Sequence, residues 1–392
     1  MRYQLDKKSG NELSVLGFGC MRLPLSMGRV DLSKAEIIMM EAIDKGVNFF
    51  DTAYIYPGSE VALGYVIDKN KVRHKVYIAT KLPLFKCNSY DDFDKIFCEQ
   101  LNRLKTDYID YYFMHSVSQY SDWERMCELG IEKWIEEKKS QGKIKQLGFS
   151  FHGTRDEFFS LLDAYDWDFC MIQYNYINVH YQAGVDGLKK AHAKGLPVFI
   201  MEPLLGGRLA NALPEKAAVL LKEYNPEATP ASWALRWLWS QSEVTLLISG
   251  MNELGQVNEN TALAEQSQIG GMTAEELTVI DQAADILASS YKVACTGCNY
   301  CLPCPAKINI PDSFMAYNTS YSIGRLTGMH QYITTAGGFI PVYSVANCIK
   351  CGKCEKLCPQ KIPIIETLKD VRSRMEPWWL RAVMALGRKI MK

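Results

Sequence analysis

Four ionisable side chains fall at the ends of three successive apolar runs: Asp51 and Tyr56 in FFDTAYIYPGSE, Lys81 in KVYIATK and His115 in YYFMHS. Taken singly, each fits a structural role, as a packed loop tyrosine, a strand-end lysine or a satisfied core histidine. Together they solve one chemical problem, the delivery of a proton to a carbonyl oxygen as hydride reaches its carbon. A phenol with a pKa of about 10 is a poor acid at neutral pH, and a buried ammonium beside it favours the phenolate and lowers that pKa. Lys81 is the candidate ammonium, and Asp51 supplies the carboxylate that a buried charge needs. His115 is placed to donate to the substrate oxygen and stabilise developing negative charge.

A second constellation is made of cysteines. Cys348, Cys351, Cys354 and Cys358 form C-x2-C-x2-C-x3-C-P, the run in which three thiolates hold one [4Fe-4S] cluster and the fourth reaches another. Cys295, Cys298, Cys301 and Cys304 form a similar array with one residue fewer before the last cysteine. Crossed wiring puts Cys295, Cys298, Cys301 and Cys358 on one cluster and Cys348, Cys351, Cys354 and Cys304 on the other. A single cluster with spare cysteines is the alternative. Zinc would close with four ligands in paired knuckles and has no use for the third close cysteine or the proline. The other five cysteines, Cys20, Cys87, Cys98, Cys127 and Cys170, are scattered through apolar stretches and read as small core residues.

The elements that must position these groups follow from periodicity. After an expected hairpin over RYQLDKKSGNEL come eight short apolar runs: LSVLGFG, VNFFDTA, KVYIATK, YIDYYFMH, IKQLGFSF, FCMIQYN, LPVFIMEP and VTLLISG. Amphipathic stretches of helical period separate them, such as SKAEIIMMEAIDKG and DWERMCELGIEKWIEEKKSQG, the latter capped by Gly142. Buried strands alternating with helices imply parallel βαβ units, and eight of them fit a closed (β/α)8 TIM barrel. The absence of GxGxxG after the first strand argues against an open dinucleotide-binding sheet. TAEELTVIDQAADILASS, opening with Thr273 and Glu276 as a capping box, reads as a last helix outside the barrel.

The expected organisation is a barrel over 1–290, a small, mostly α/loop ferredoxin-like domain over 291–372 and a basic amphipathic helix over 373–392. DSFMAYNTSYSIGR and QYITTAGGFIPVY, between the arrays, read as short helices or loops, and no repeat beyond the βα period is visible. Net charge is zero, yet residues 291–392 hold 14 Lys and Arg against 5 Asp and Glu, leaving an acidic remainder. The start of the chain has no apolar core behind a basic segment, and no run approaches the roughly 18 apolar residues of a membrane span. A cytoplasmic protein without a transmembrane segment is therefore expected. The basic residues lack an interleaved aromatic platform, which argues against nucleic acid as a partner.

With LGFGCMRLP, FDTA, ATK and the strand-end histidine in order, the chain resembles the aldo-keto reductase family, in the branch that carries a ferredoxin-like C-terminal domain. The resemblance implies an NAD(P)H-dependent oxidoreductase that reduces an aldehyde or ketone to an alcohol, with Tyr56 as proton donor. It implies NADPH or NADH across the barrel mouth, with Ser150 and Gln173 on the nicotinamide carboxamide. It also implies Gly206 and Gly207 of MEPLLGGRLA at the pyrophosphate, and Gln256, Glu259 and Asn260 at the adenosine end. Phe151 stands where many members have Asn, leaving His152 as a substitute, and no basic side chain lies at 250–260 to hold a 2′-phosphate. The clusters pass single electrons whereas nicotinamide gives two as hydride, and no flavin domain is readable. The tail is then structural, a docking module or an electron port for an acidic electron-transfer protein. The alternative function is a nucleotide-binding electron-transfer protein that feeds a redox partner through its clusters.

Overall fold

The hairpin forms from β1 (Tyr3–Leu5) and β2 (Glu12–Ser14), antiparallel with Tyr3 opposite Ser14. The first apolar run becomes β3 (Leu16–Gly19), followed by a small excursion through β4 (Leu25–Ser26) and β5 (Arg29–Val30). The other seven become β6 (Phe49–Asp51), β7 (Tyr77–Pro83), β8 (Ile109–Val117), β9 (Ile144–Phe151), β10 (Phe169–Gln173), β11 (Val198–Met201) and β12 (Leu246–Ser249). These eight pair in parallel in chain order, and β12 returns to β3 with Leu247 opposite Leu16 and Ser249 opposite Phe18, closing the barrel. Such strands are covered on both faces, which is why their sequences run apolar without alternating.

This computed structural model describes residues 1–295, 297, 300–322, 324–333 and 344–379. They form two compact units, Met1–Pro203 with Ala234–Thr273, and Leu204–Trp233 with the described part of Ala274–Lys392. Among the described residues no helix is long and apolar enough to cross a membrane.

The inside of the barrel is filled by aromatic side chains. Phe169 packs on Phe113 at 4.6 Å and on Phe199 at 5.1 Å between ring centroids, and Phe49 meets Tyr111 at 5.1 Å. Edge and offset contacts of this kind favour a packed interior over a pore. Tyr111 also donates to Asp6 at 2.8 Å and accepts from Asn11 at 3.1 Å, tying the hairpin to this core.

The helical periods land outside the strands, with one correction. The stretch from Asp122 to Gly142, expected as a single helix, is two, Tyr120–Glu128 and Ile131–Ser140. Gly130 separates them at φ +88°, a conformation that turns the chain and that glycine adopts without steric cost.

In the second unit, helix Ala274–Ser290 groups with residues 204–233. Helices Ile310–Ser322 and Arg325–Gln331 follow the first cysteine array, and Ile364–Met375 follows the second. Buried Asn318 accepts from the amides of Lys292 at 3.0 Å and Val293 at 2.9 Å and donates to Val293 O, fixing the approach to Cys295. Buried Glu376 accepts from Tyr332 at 2.5 Å and Ser344 at 2.6 Å. Helix Ile364–Met375 runs past residue 373, where a separate helix was expected to start, and stops before Pro377, whose ring disfavours helix at the preceding residue. Most of that expected C-terminal helix, residues 380–392, and most of QYITTAGGFIPVY, residues 334–340 and 341–343, lie outside the described residues.

Candidate active site and cysteine centre

Asp51 ends β6, Lys81 lies in β7 opposite Phe113 of β8, and Pro83 is opposite His115. Neighbouring parallel strands therefore bring Asp51, Lys81 and His115 to one rim, at the C-terminal strand ends where barrel chemistry resides. Lys81 Nζ donates to Asp51 Oδ1 at 2.5 Å and to Thr52 O at 2.7 Å. Both charges are buried, Lys81 at 2% and Asp51 at 5% exposure. Burial pushes the Asp51 carboxyl up and the Lys81 ammonium down, and their mutual attraction opposes both shifts.

Glu60 also favours the Lys81 charge. It is buried, accepting from Thr80 at 2.7 Å, Gln100 at 2.9 Å and Arg103 at 3.0 Å. Sequence reasoning missed it because an acid in the first turn of an amphipathic helix looks like ordinary end decoration.

Tyr56 sits half-buried on the turn after β6. Ser59 donates to Cys20 O at 2.8 Å, so its 2.7 Å contact with Thr52 has the threonine hydroxyl as donor. Tyr54 donates to Glu99 at 2.7 Å while the Arg103 guanidinium lies 4.4 Å from the Tyr54 ring centre. Held on both flanks, the turn leaves the Tyr56 ring 5.3 Å from Lys81 Nζ and 6.0 Å from the His115 ring, edge to face at 85°.

Burial, with Lys81 and then His152 nearby, holds His115 well below the usual histidine range, so it is neutral at physiological pH. His152 is pushed down to about 4 by burial, against Gln182 beside it and with Lys81 adding to the fall. Between pH of about 6.5 and 4 the unfolded chain binds a proton that folded His152 lacks. Barrel stability is thus expected to fall as pH falls through this window, by ~1.4 kcal/mol per pH unit per such histidine. Urea midpoints at pH 7 and pH 5 check this, with His152→Gln expected to remove part of the slope.

Ser150, on β9, is 1% exposed and its Oγ accepts from Ser116 N at 2.8 Å. Ser116 lies in an irregularity of β8 between Met114 and Val117, at φ +57°. Gln173 ends β10 fully buried, and among the described residues neither its amide oxygen nor its nitrogen has a hydrogen-bond partner. An orphaned buried carboxamide costs several kcal/mol, on the order of 1–3 per polar atom, and fits a ligand carboxamide. Phe151 instead packs on Phe158 at 5.1 Å in the apolar layer under helix Arg155–Ala164.

Beyond β12, Asn260 donates to Ser249 Oγ at 3.4 Å, Gln256 accepts from Asn252 N at 3.0 Å, and Glu259 is half-buried. Arg22, exposed after β3, passes along Gly250, where a β-carbon would lie 3.5 Å from its Cδ. Space thus brings a cation to the end of β12 that the 250–260 segment itself does not contain.

In the second unit Leu205, Gly206 and Gly207 are consecutive at φ +48°, +68° and +92°. Within this turn Gly207 N and Leu209 N both donate to Leu204 O, at 2.9 and 3.2 Å. Arg208 follows, 5% exposed, with Nη2 lacking a hydrogen-bond partner among the described residues and the guanidinium 5.7 Å from the Tyr291 ring centre. Sequence reasoning had singled out the glycines and passed over this arginine.

Some of the cysteines of the two arrays converge. Cys295, Cys301 and Cys358 line a single cavity with Ile310, Phe314, Ile362 and Ile364. Cys348 lies near enough to Cys354 to add to the upward push of burial on that thiol, which reaches about 11. Cys298 lies outside the described residues. Among the described residues no three His, Cys, Asp or Glu side chains close on a single metal ion. The three-thiol cavity is the observation that fits an iron-sulfur cluster, whose ligands are spread over several irons. On the crossed wiring with two clusters, Cys358→Ala is expected to remove the cluster of the first array and leave about half the iron, read as iron content per chain after anaerobic reconstitution.

Residues 15–284 match the model of the aldo/keto reductase family, and residues 294–362 match that of a 4Fe-4S dicluster domain. The L-galactose dehydrogenase of Arabidopsis thaliana is 27% identical over 297 residues, covering 70% of this chain and 91% of its own. The methylglyoxal reductase YeaE of Escherichia coli is 26% identical, covering 64% and 84%. Among solved structures, the holo form of aldo-keto reductase AKR11C1 from Bacillus halodurans superposes with a TM-score of 0.60 at 25% identity, covering 72% of this chain and 96% of that one. An aldo-keto reductase of Klebsiella pneumoniae in complex with NADPH shares the fold, with a TM-score of 0.58 at 21% identity and coverage of 72% and 95%. With the barrel closed, its mouth built and the family model spanning most of its length, the chain belongs to the aldo/keto reductase family of oxidoreductases.

Proposed function

We propose that the barrel reduces an aldehyde or ketone to an alcohol with Tyr56 as proton donor and NADPH or NADH as reductant. When bound, the nicotinamide supplies hydride. The observation that carries this reading is the Lys81 ammonium, buried against Asp51 and 5.3 Å from the Tyr56 ring centre.

Lys81 stabilises negative charge on the Tyr56 oxygen and so eases release of its proton to the carbonyl oxygen. Asp51 keeps Lys81 charged although both are out of water. Neutral His115 orients the substrate oxygen through a hydrogen bond that strengthens as charge develops there. Gln173, with both amide atoms orphaned, and Ser150 hold the nicotinamide carboxamide; Gln256, Glu259 and Asn260 take the adenosine end. The Gly206–Gly207 turn, with Arg208, is assigned to phosphate. The names of the relatives, a sugar dehydrogenase and a methylglyoxal reductase, both describe alcohol and carbonyl interconversion.

Cys295, Cys298, Cys301 and Cys358 would hold one [4Fe-4S] cluster and Cys348, Cys351, Cys354 and Cys304 a second, supplying one-electron chemistry to the tail. The barrel is assigned to 1–290 and the iron-sulfur tail to the residues after it, with helix Ile364–Met375 crossing the expected boundary at 372/373. The exposed position of Cys351 favours the second reading, an electron-transfer protein in which the barrel only binds nucleotide. Anaerobic turnover separates the two. Consumption of carbonyl and NADPH in equal amounts supports the reductase, whereas reduction of one-electron acceptors alone would assign the second reading.

A further inference from the structure

The two cysteine arrays are built on a repeat that the irregular spacing conceals. Cys304-Pro-Ala-Lys307-Ile308-Asn-Ile310 matches Cys358-Pro-Gln-Lys361-Ile362-Pro-Ile364. Lys307 and Lys361 share a left-handed backbone at φ +58° and +52°, and all four isoleucines are buried. Each copy feeds a helix, Ile310–Ser322 or Ile364–Met375. Upstream, Gly297 at φ +73° precedes Cys298 as Lys350 at φ +56° precedes Cys351.

On this shared frame the two halves display different chemistry. From Cys295 to Lys307 the one charged residue is Lys307 itself. From Cys348 to Lys361 there are four lysines, Lys350, Lys353, Lys356 and Lys361, all exposed. The one acid there, Glu355, accepts from Ile365 N at 2.8 Å and is committed to a helix start. Amid the lysines, Ile349 is 65% and Leu357 57% exposed, and the Cys351 ligand is exposed as well. A lysine in the left-handed region costs ~1 kcal/mol where the other array uses glycine, so the charge at position 350 is held against a backbone penalty.

We infer that the lysine-rich segment Cys348–Lys361, with its exposed Ile349 and Leu357, docks an acidic one-electron carrier protein. The cluster of Cys348, Cys351, Cys354 and Cys304 is then the electron port of the tail. The inference rests on the two-cluster reading above. A segment of one charge steers an oppositely charged partner and raises its rate of encounter, while a few exposed apolar side chains suit the brief contact of redox proteins. The step moves one electron: the reduced carrier is oxidised by one, the oxidised cluster is reduced by one, and no bond or proton changes place.

The test uses full-length holoprotein, reconstituted anaerobically and mixed in stopped flow with an acidic [2Fe-2S] ferredoxin reduced beforehand. Wild-type cluster reduction is expected to slow steeply as salt rises. K350E/K353E/K356E is expected to react at least about tenfold more slowly at low salt and to lose most of that salt dependence. K369E, which reverses an exposed charge on helix Ile364–Met375, is expected to react like wild type, and carbonyl reduction by NADPH is expected to be the same in all three. Equal rates in wild type and the triple variant, or equal loss in K369E, overturn the proposal. So does binding to phosphatidylserine vesicles without electron uptake from the carrier. Failure of the underlying reading looks different: dithionite-treated wild type would lack a reduced [4Fe-4S] resonance, and the port would fall with the cluster assignment.

Discussion

Replacing Tyr56 by Phe lowers kcat/KM for carbonyl reduction by about three orders of magnitude while NADPH affinity stays within about twofold of wild type. Removal of a positioned general acid typically costs 10²–10⁴ in rate, about 3–5 kcal/mol of transition-state stabilisation. The substitution deletes one oxygen from a half-buried ring. The turn keeps its anchors, since Tyr54, Thr52, Ser59 and Arg103 are untouched. Steady-state kinetics with fluorescence titration of NADPH measures both parts. Turnover that survives, or a parallel loss of nucleotide binding, would remove Tyr56 from the role of acid.

Lys81→Met is expected to cost both activity and stability, and the two losses can be separated. Met fills a similar volume but leaves the Asp51 carboxylate buried without its cation, a loss of about 3–5 kcal/mol when one partner of such a pair is removed. Burial already pushes the Asp51 carboxyl up, and without Lys81 it rises further. A raised folded pKa contributes stability that is present below the unfolded value and lost as pH rises through the folded one. The variant should therefore lose most stability relative to wild type above neutrality and less near pH 5. Adding Asp51→Asn removes the stranded charge and should restore most of the stability without restoring turnover. Chemical denaturation at both pH values, beside kcat for the single and double variants, checks this. Recovery of turnover in the double variant would mean that Lys81 serves only the fold.

The barrel was legible because parallel strands covered on both faces read as short apolar runs, and all eight became strands in the order expected. The rim residues were legible for the same reason, since a strand end in sequence is a barrel rim in space. What failed was local or distant. The break at Gly130 hides inside a continuous amphipathic stretch, because glycine at one position does not disturb the apolar period around it. Glu60 and Arg208 are buried charges whose partners come from other elements, and no linear pattern marks them. Arg22 reaches Gly250 only because β3 and β12 are neighbours in the closed barrel. The repeat in the tail is masked in the sequence because the spacing before Cys304 and Cys358 differs by one residue, while the matching backbone angles lie in the loops.

The central claim is that a two-electron transfer from nicotinamide to carbonyl carbon takes place in the barrel, with Tyr56 supplying the proton. The most direct measurement is a single anaerobic turnover with NADPH deuterated at C4 on one face and then the other, followed by mass analysis of the alcohol. Retention of the label from one face on the carbinol carbon, with the hydroxyl proton drawn from solvent, is the predicted result. Label lost from both faces, with a reduced-cluster resonance appearing as NADPH is consumed, would contradict the account and make the barrel a donor to the iron-sulfur tail.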